Sequence, residues 1–289
     1  MENKKKKFDD VYHIVNSIIV KKLEQGILPW RKDWSNSEIP TNLSTLDSYK
    51  GINLLLLSCY DFERNYFLTY SQAKEIGAKV KEKSAACPVV YWKAEENPNN
   101  GELKFILKYY NVYNISQCDN VPKDHIPQVT QKMKTMDVLK SVVKNMPDKP
   151  SFEYHEKANA SFYDLRHDCV CIPHWKHLPS NEAYYDFVFR ELVNSTKHSK
   201  RVGWHKEEMY MPNGAFTTEL LIGEIGSCLL NAHAGIASRK FDETVGTSTS
   251  SWIDTFKKNK KMLVYAGGMA QKAVDYILNI QKKDDDLPL

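Results

Sequence analysis

Residues 181–198, Asn-Glu-Ala-Tyr-Tyr-Asp-Phe-Val-Phe-Arg-Glu-Leu-Val-Asn-Ser-Thr-Lys-His, constrain this chain more than any other stretch. They contain no Gly or Pro, and Ser180 stands ready as an N-cap, so the pattern predicts a helix over 181–196. A second long apolar helix is expected over 215–235, with one or two more within 250–280. A short helix over 135–145 and two neighbouring short strands, Ser161 to Tyr163 and Cys169 to Ile172, complete a mainly helical second half.

The first half reads differently. Val11, Ile14, Val15, Ile18, Ile19 and Leu23 recur at helical spacing until Gly26 and Pro29 stop them. A loop with two indoles and two cations follows, then an apolar run from Ile52 to Tyr60 and a helix start with Thr69 or Ser71 as its cap. The β-rich runs Pro88 to Lys93 and Phe105 to Ile115 flank an Asn/Pro/Gly turn at 97–101, which predicts a hairpin. The polar, proline-containing stretch 120–131 is the best linker. The expected fold is α+β in two domains, 1–125 and 126–289, each long enough to bury a core of its own.

Formal charge is +4, with 18 Lys and Arg against 16 Asp and Glu up to residue 125, so neither half carries the basic footprint of a protein held on DNA by bulk charge. Any nucleic-acid binding must use local clusters. The run Lys4 to Lys7 reads as a solvated tail. Six scattered cysteines, no signal peptide and no apolar stretch near 18 residues suit a reducing cytosol and no membrane. Cys169 and Cys171 would share a strand face; a C-x-C without a second pair reads as core thiols.

The helix over 181–196 also carries the frame of a metal site without its ligands. In H-E-x-x-H, two histidines four apart hold one zinc ion and the Glu activates its bound water. Here those positions read Arg190, Glu191 and Asn194, a permanent cation and a weakly donating amide in place of both imidazoles. Without a metal to lower the pKa of water, Glu191 has little power to make a nucleophile. A site rebuilt from His198 with His167, His174, His177, His205 or His233 is the alternative.

Short blocks along nearly the whole chain, in order, resemble the ArdC-type antirestriction proteins of conjugative plasmids and mobile elements. In the first half these are Leu28-Pro-Trp30, Pro40-Thr-Asn42, Ser48-Tyr-Lys-Gly-Ile-Asn53, Thr69-Tyr-Ser-Gln-Ala73 and Tyr110-Asn-Val-Tyr-Asn114. In the second they are Ala183-Tyr-Tyr185, Arg190 to His198, Glu219 to Gly226 and Gln271 to Tyr276. The resemblance implies an N-terminal domain that binds single-stranded DNA and a C-terminal zincin-like metallopeptidase domain. Against the family pattern H-E-L-V-H-x-T-G-H, Arg190 stands at the first ligand, Asn194 at the second and Lys197 at the glycine. The third ligand is expected from the helix holding Glu219 and Glu224, either of which fits.

Single strands are held by cations along the backbone and aromatic faces under the bases. Trp30, Trp34, Tyr49 and Tyr70, beside Arg31, Lys32, Lys50 and Arg64, are the candidate DNA-binding residues, with Tyr66 close by. Asn42 and Asn53 either contact DNA or satisfy local backbone groups. In the second half, removing a metal ion would leave Glu191, Glu219 and Glu224 together, so the Arg190 guanidinium is expected near the former zinc position, paired with one of them.

The expected function is single-stranded DNA binding and antirestriction for a mobile element, with a catalytically silent zincin-like half containing Arg190, Glu191, Asn194, His198, Glu219 and Glu224. No metal and no cofactor are expected, although zinc belongs to the family; a host restriction or defence protein is a further partner to consider. Alternatives are an active metallohydrolase with an atypical ligand set and a protein-interaction module that touches no DNA.

Overall fold

Helical periodicity from Val11 onward produces α1 (Glu2–Glu24), whose Val11, Val15, Ile19 and Leu23 face the core until Gly26 turns the chain with φ +76°. The helix takes in Lys4 to Lys7, so the run expected as a solvated tail has helical backbone. The computed structural model describes residues 2–96, 103–128, 136–156, 161–204, 215–237 and 248–281, without the side chains of 2–10, 103, 215 and 216. The turn at 97–101, the end of the linker and His205 lie outside the described residues.

The N-terminal domain continues through β1 (Thr41–Asn42), α2 (Gly51–Ser58), β2 (Tyr66–Leu68), α3 (Tyr70–Glu75), β3 (Lys79–Val80), β4 (Cys87–Glu96), β5 (Leu103–Asn114) and β6 (Cys118–Asp119). Thr69 caps α3: its hydroxyl accepts from the Gln72 amide while the Gln72 side chain returns to the Thr69 amide. A four-stranded sheet runs β1-β2-β5-β4, and β4 pairs with β5 antiparallel from Cys87↔Val112 to Glu96↔Leu103. The apolar run after Gly51 forms a helix, with Leu54 to Leu57 all buried.

The C-terminal domain holds α4 (Met136–Asn145), β7 (Ser151–His155), β8 (Phe162–Asp164), β9 (Cys169–Pro173), α5 (Asn181–Ser195), α6 (Ala215–Ala234), α7 (Thr249–Lys258) and α8 (Met262–Ile277). Ser180 caps α5, accepting from the Ala183 amide. Strand β9 lies between β7, which is parallel to it, and β8, which is antiparallel. The sheet puts Val170 and Ile172 into the core beside Val188, Phe189 and Leu192 of α5.

Where each half was expected to bury its own core, the largest apolar cluster is shared between them. Val15, Ile19, Trp30, Trp34 and Leu55 join Cys228, Trp252, Phe256, Leu263 and Met269. Helices α2 and α8 meet closely. A Cβ on Gly267 would fall 2.8 Å from Ile52 Cβ, and Gly51, at φ +53°, donates its amide to Gln271 Oε1 at 2.7 Å.

Candidate functional site

Helices α5 and α6 approach closely because α6 carries glycine where they touch. A Cβ on Gly223 would sit 2.7 Å from Asn194 Oδ1, and one on Gly226 would sit 2.6 Å from Val193 Cγ1. This contact turns Arg190 and Asn194 toward the acidic positions of α6.

At the junction Glu191 is only 1% exposed, and both its oxygens are engaged. Arg190 Nε donates to Oε1 at 3.0 Å and Ser161 Oγ at 2.7 Å, while Asn194 Nδ2 donates to Oε2 at 2.8 Å. Arg190 Nη2 also donates to Ser161 Oγ at 2.7 Å, and its Nη1 lies 3.6 Å from Glu224 Oε1. Glu224 Oε2 in turn accepts from Arg31 Nε at 3.1 Å, across the domain boundary. Burial opposes the charge on Arg190, but Glu191 and then Glu224 outweigh it and hold the guanidinium above its ordinary pKa. Glu219, one and a half turns earlier on α6, pairs with Lys197. Both cations at altered motif positions therefore meet a carboxylate of α6, as expected for Arg190.

Among the described residues, His167, His174, His177 and His198 make their contacts away from this cluster. His198 Nδ1 accepts from the Lys200 amide, His167 pairs with Asp164 at 2.8 Å and His177 with Glu156 at 2.6 Å. His174 packs 5.9 Å from the Tyr154 ring, and His233 is exposed on α6.

The N-terminal candidates divide sharply. Trp30 and Trp34 are 1% and 2% exposed, so neither ring is open to a base. Trp30 packs edge-on to Trp252 at 5.4 Å, and Trp34 Nε1 donates to Cys228 Sγ at 3.4 Å. Arg31 is committed to Glu224; Lys32 is half-buried over the Trp34 ring, 5.2 Å away, and that partial burial lowers its pKa. Arg64 Nε donates to both oxygens of Glu38, and its Nη2 donates to the Pro127 carbonyl. The loop reads as solvent-facing in sequence because its apolar partners lie some two hundred residues away.

Asn42 holds a turn, accepting from the Ser44 and Thr45 amides, and Asn53 is bonded to both the carbonyl and the amide of Val90. Both amides therefore serve the backbone. Lys50 and Tyr70 are exposed, and Tyr49 is half-buried against Phe67 at 6.2 Å. Burial raises the Tyr49 phenol, with nearby Tyr110 adding to the effect.

Tyr110 belongs to a surface the sequence reading missed. The β4–β5 register places Tyr91 opposite Lys108, Lys93 opposite Ile106 and Tyr110 opposite Val89, all on one face. Tyr91 and Tyr110 are 38% and 39% exposed, with ring centroids 5.7 Å apart. Lys93 and Lys104 are exposed, and Lys108 pairs with Glu95 at 2.6 Å. Alternation in Val89-Val-Tyr91-Trp-Lys93 was the available signal.

A family model for the N-terminal domain of anti-restriction factor ArdC matches residues 9–113, and one for a zincin-like metallopeptidase matches residues 143–269. The crystal structure of the antirestriction ArdC protein from plasmid R388, in its metal-free form, superposes with a TM-score of 0.75 at 26% identity, covering 94% of this chain and 100% of that one. This chain is an ArdC-type two-domain protein.

The Mn(II)-bound structure of the same R388 protein matches at a TM-score of 0.75 and 25% identity, covering 93% of this chain and 97% of that one. Among curated proteins, a DNA primase TraC of Escherichia coli is 25% identical over 296 residues, and an uncharacterized protein y4eC of Sinorhizobium fredii 21% over 306, the latter across 93% of its length. The chain spans only 20% of that primase and 27% of a second TraC.

On the ArdC-type plan zinc is the group to test against these residues, and they do not fit it. A guanidinium has no lone pair to give, and Arg190 bridges Glu191 and Glu224. The Asn194 nitrogen is spent on Glu191, and its buried Oδ1, without a hydrogen-bond partner, abuts Gly223. No helix among the described residues is long and apolar enough to cross a membrane.

Proposed function

We propose that this chain binds single-stranded DNA through its N-terminal domain and serves antirestriction for a mobile element from the cytoplasm, its zincin-like half acting as a non-hydrolytic scaffold. The surface that carries the DNA reading is the β4–β5 face, where Tyr91 and Tyr110 stand among Lys93, Lys104 and Lys108, with Tyr49 near Tyr110 and exposed Lys50 and Tyr70 as further candidates. Open aromatic faces interleaved with lysines suit a sequence-tolerant strand, each stacked base adding roughly 1–3 kcal/mol. The R388 relative is an antirestriction protein and the TraC relatives are DNA primases, which supports a nucleic-acid role here.

The scaffold reading rests on Arg190. Its positive charge replaces that of an ion between Glu191 and Glu224, and the same Glu224 binds Arg31 from the other domain. The former metal position thus joins the two domains.

Fluorescence anisotropy of a labelled unstructured oligonucleotide tests the DNA reading. Tryptophan quenching is a poor probe because Trp30 and Trp34 are enclosed. Y91A/Y110A is expected to weaken binding by at least tenfold with unchanged far-UV circular dichroism, taking about 1.4 kcal/mol as tenfold. Equal affinity for both proteins at low salt refutes the assignment of this face.

A further inference from the structure

The sheet of the C-terminal domain has two faces, and its central strand uses them differently. Val170 and Ile172 enter the apolar core. Cys169 and Cys171 point the other way, are 2% and 8% exposed, and belong to none of the apolar clusters of the described residues. Glu153 of β7 is the register partner of Cys171 and shares that face. The two sulfurs and a Glu153 carboxylate oxygen all lie within 4.8 Å of one another.

We propose that Cys169, Cys171 and Glu153 form a binding site for a thiophilic divalent cation, zinc being the physiological class, separate from the position filled by Arg190. The Zn–S distance of about 2.3 Å and Zn–O distance of about 2.1 Å imply ligand atoms roughly 3.5–3.8 Å apart around a tetrahedral ion, so small side-chain rotations close the set. The three donors come from the two most regular strands of the sheet, where side-chain direction is fixed by pleat and register. Glu153 is exposed, so its carboxylate borders solvent.

The surroundings favour a cation. The charged and titratable groups on this face are Glu153 and His155 from β7, Asp164 from β8 opposite Cys169, and His167, whose Nδ1 is held by Asp164 at 2.8 Å. Burial first, then Cys169, Glu153 and Asp164, push the Cys171 thiol up to about 11. A bound divalent ion reverses that balance. Two S–H bonds give way to two metal–sulfur bonds, two protons leave to solvent, and no oxidant or reductant takes part.

The full chain, stripped of metal and reduced, is titrated with Cd²⁺ while thiolate-to-cadmium absorption in the ultraviolet and proton release are followed. One ion per chain, a band of two-thiolate intensity, two protons released and displacement by zinc are expected. C169S and C171S each abolish the two-thiolate band, and C59S, at a buried thiol elsewhere, retains it. E153Q, a change at an exposed position that keeps the fold whatever the serine variants do, keeps the band and weakens affinity about tenfold. Absence of the band in the unmodified chain, its survival in both C169S and C171S, or an E153Q titration identical to the unmodified protein overturns the proposal.

Discussion

Replacing Arg190 with Met removes a buried cation and keeps most of its volume. In the native chain the Arg190 side chain is 16% exposed and that of Glu191 only 2%, so among the described residues the variant leaves Glu191 with no ion-pair partner in an enclosed site. Breaking a buried ion pair by removing one partner destabilises by about 3–5 kcal/mol. The lower end applies, because Ser161 and Asn194 still donate to Glu191 and Arg31 still holds Glu224. Urea unfolding followed by circular dichroism is the assay. With a slope of about 3 kcal/mol/M, a loss of about 3 kcal/mol lowers the midpoint by roughly 1 M. Removing the charge on both sides with R190M/E191Q should recover a large part of the loss, a coupling of about 1–3 kcal/mol in a double-mutant cycle. A loss below about 1 kcal/mol for R190M, together with no coupling to E191Q, would refute the idea that the guanidinium neutralises this cluster.

Two further perturbations test neighbouring parts of the fold. Asp168 accepts from Tyr163 at 2.7 Å and from fully buried Arg201 at 2.6 Å, and although burial alone would raise it, those donors hold its carboxyl below the usual pKa. Its stabilising effect is therefore present above the unfolded value of about 3.9 and lost as pH falls through the lower folded value. D168N should cost about 2 kcal/mol at neutral pH, with the gap to the native protein closing below about pH 4 in unfolding measurements. Gly226→Ala should destabilise by about 1–2 kcal/mol in the same assay, although Ala is the better helix former, because its methyl collides with Val193. Adding V193A should remove that penalty.

Sequence reading located most of the local structure and part of the site. The caps at Ser180 and Thr69, the β4–β5 hairpin and the helix carrying Arg190 were legible because each is encoded within a few residues. Arg190 could be placed near carboxylates because a guanidinium on a helix beside Glu191 and facing the acidic positions of α6 calls for a counter-charge. What escaped was set by distant pairing. Trp30 and Trp34, flanked by Arg31 and Lys32, looked like an open aromatic loop, yet Trp252, Cys228 and Glu224 enclose that loop. Strand β7 was missed because its side chains are mostly exposed and polar, and its pairing with β9 depends on backbone register. The exposed Tyr91 and Tyr110 are legible in principle from strand alternation, but both lie in apolar-looking runs whose outer face only the β4–β5 pairing defines.

Zinc affinity measured by competition with a chromophoric chelator tests most directly whether a permanent cation has replaced the metal in the zincin-like half. The chain used carries C169S and C171S, so that the sheet thiols contribute nothing. The account predicts no zinc held more tightly than about micromolar, with R190M no better, since restoring a ligand set needs donors and not merely the loss of a charge. An equimolar ion retained by this background and released by E191Q or Glu224→Gln would contradict it.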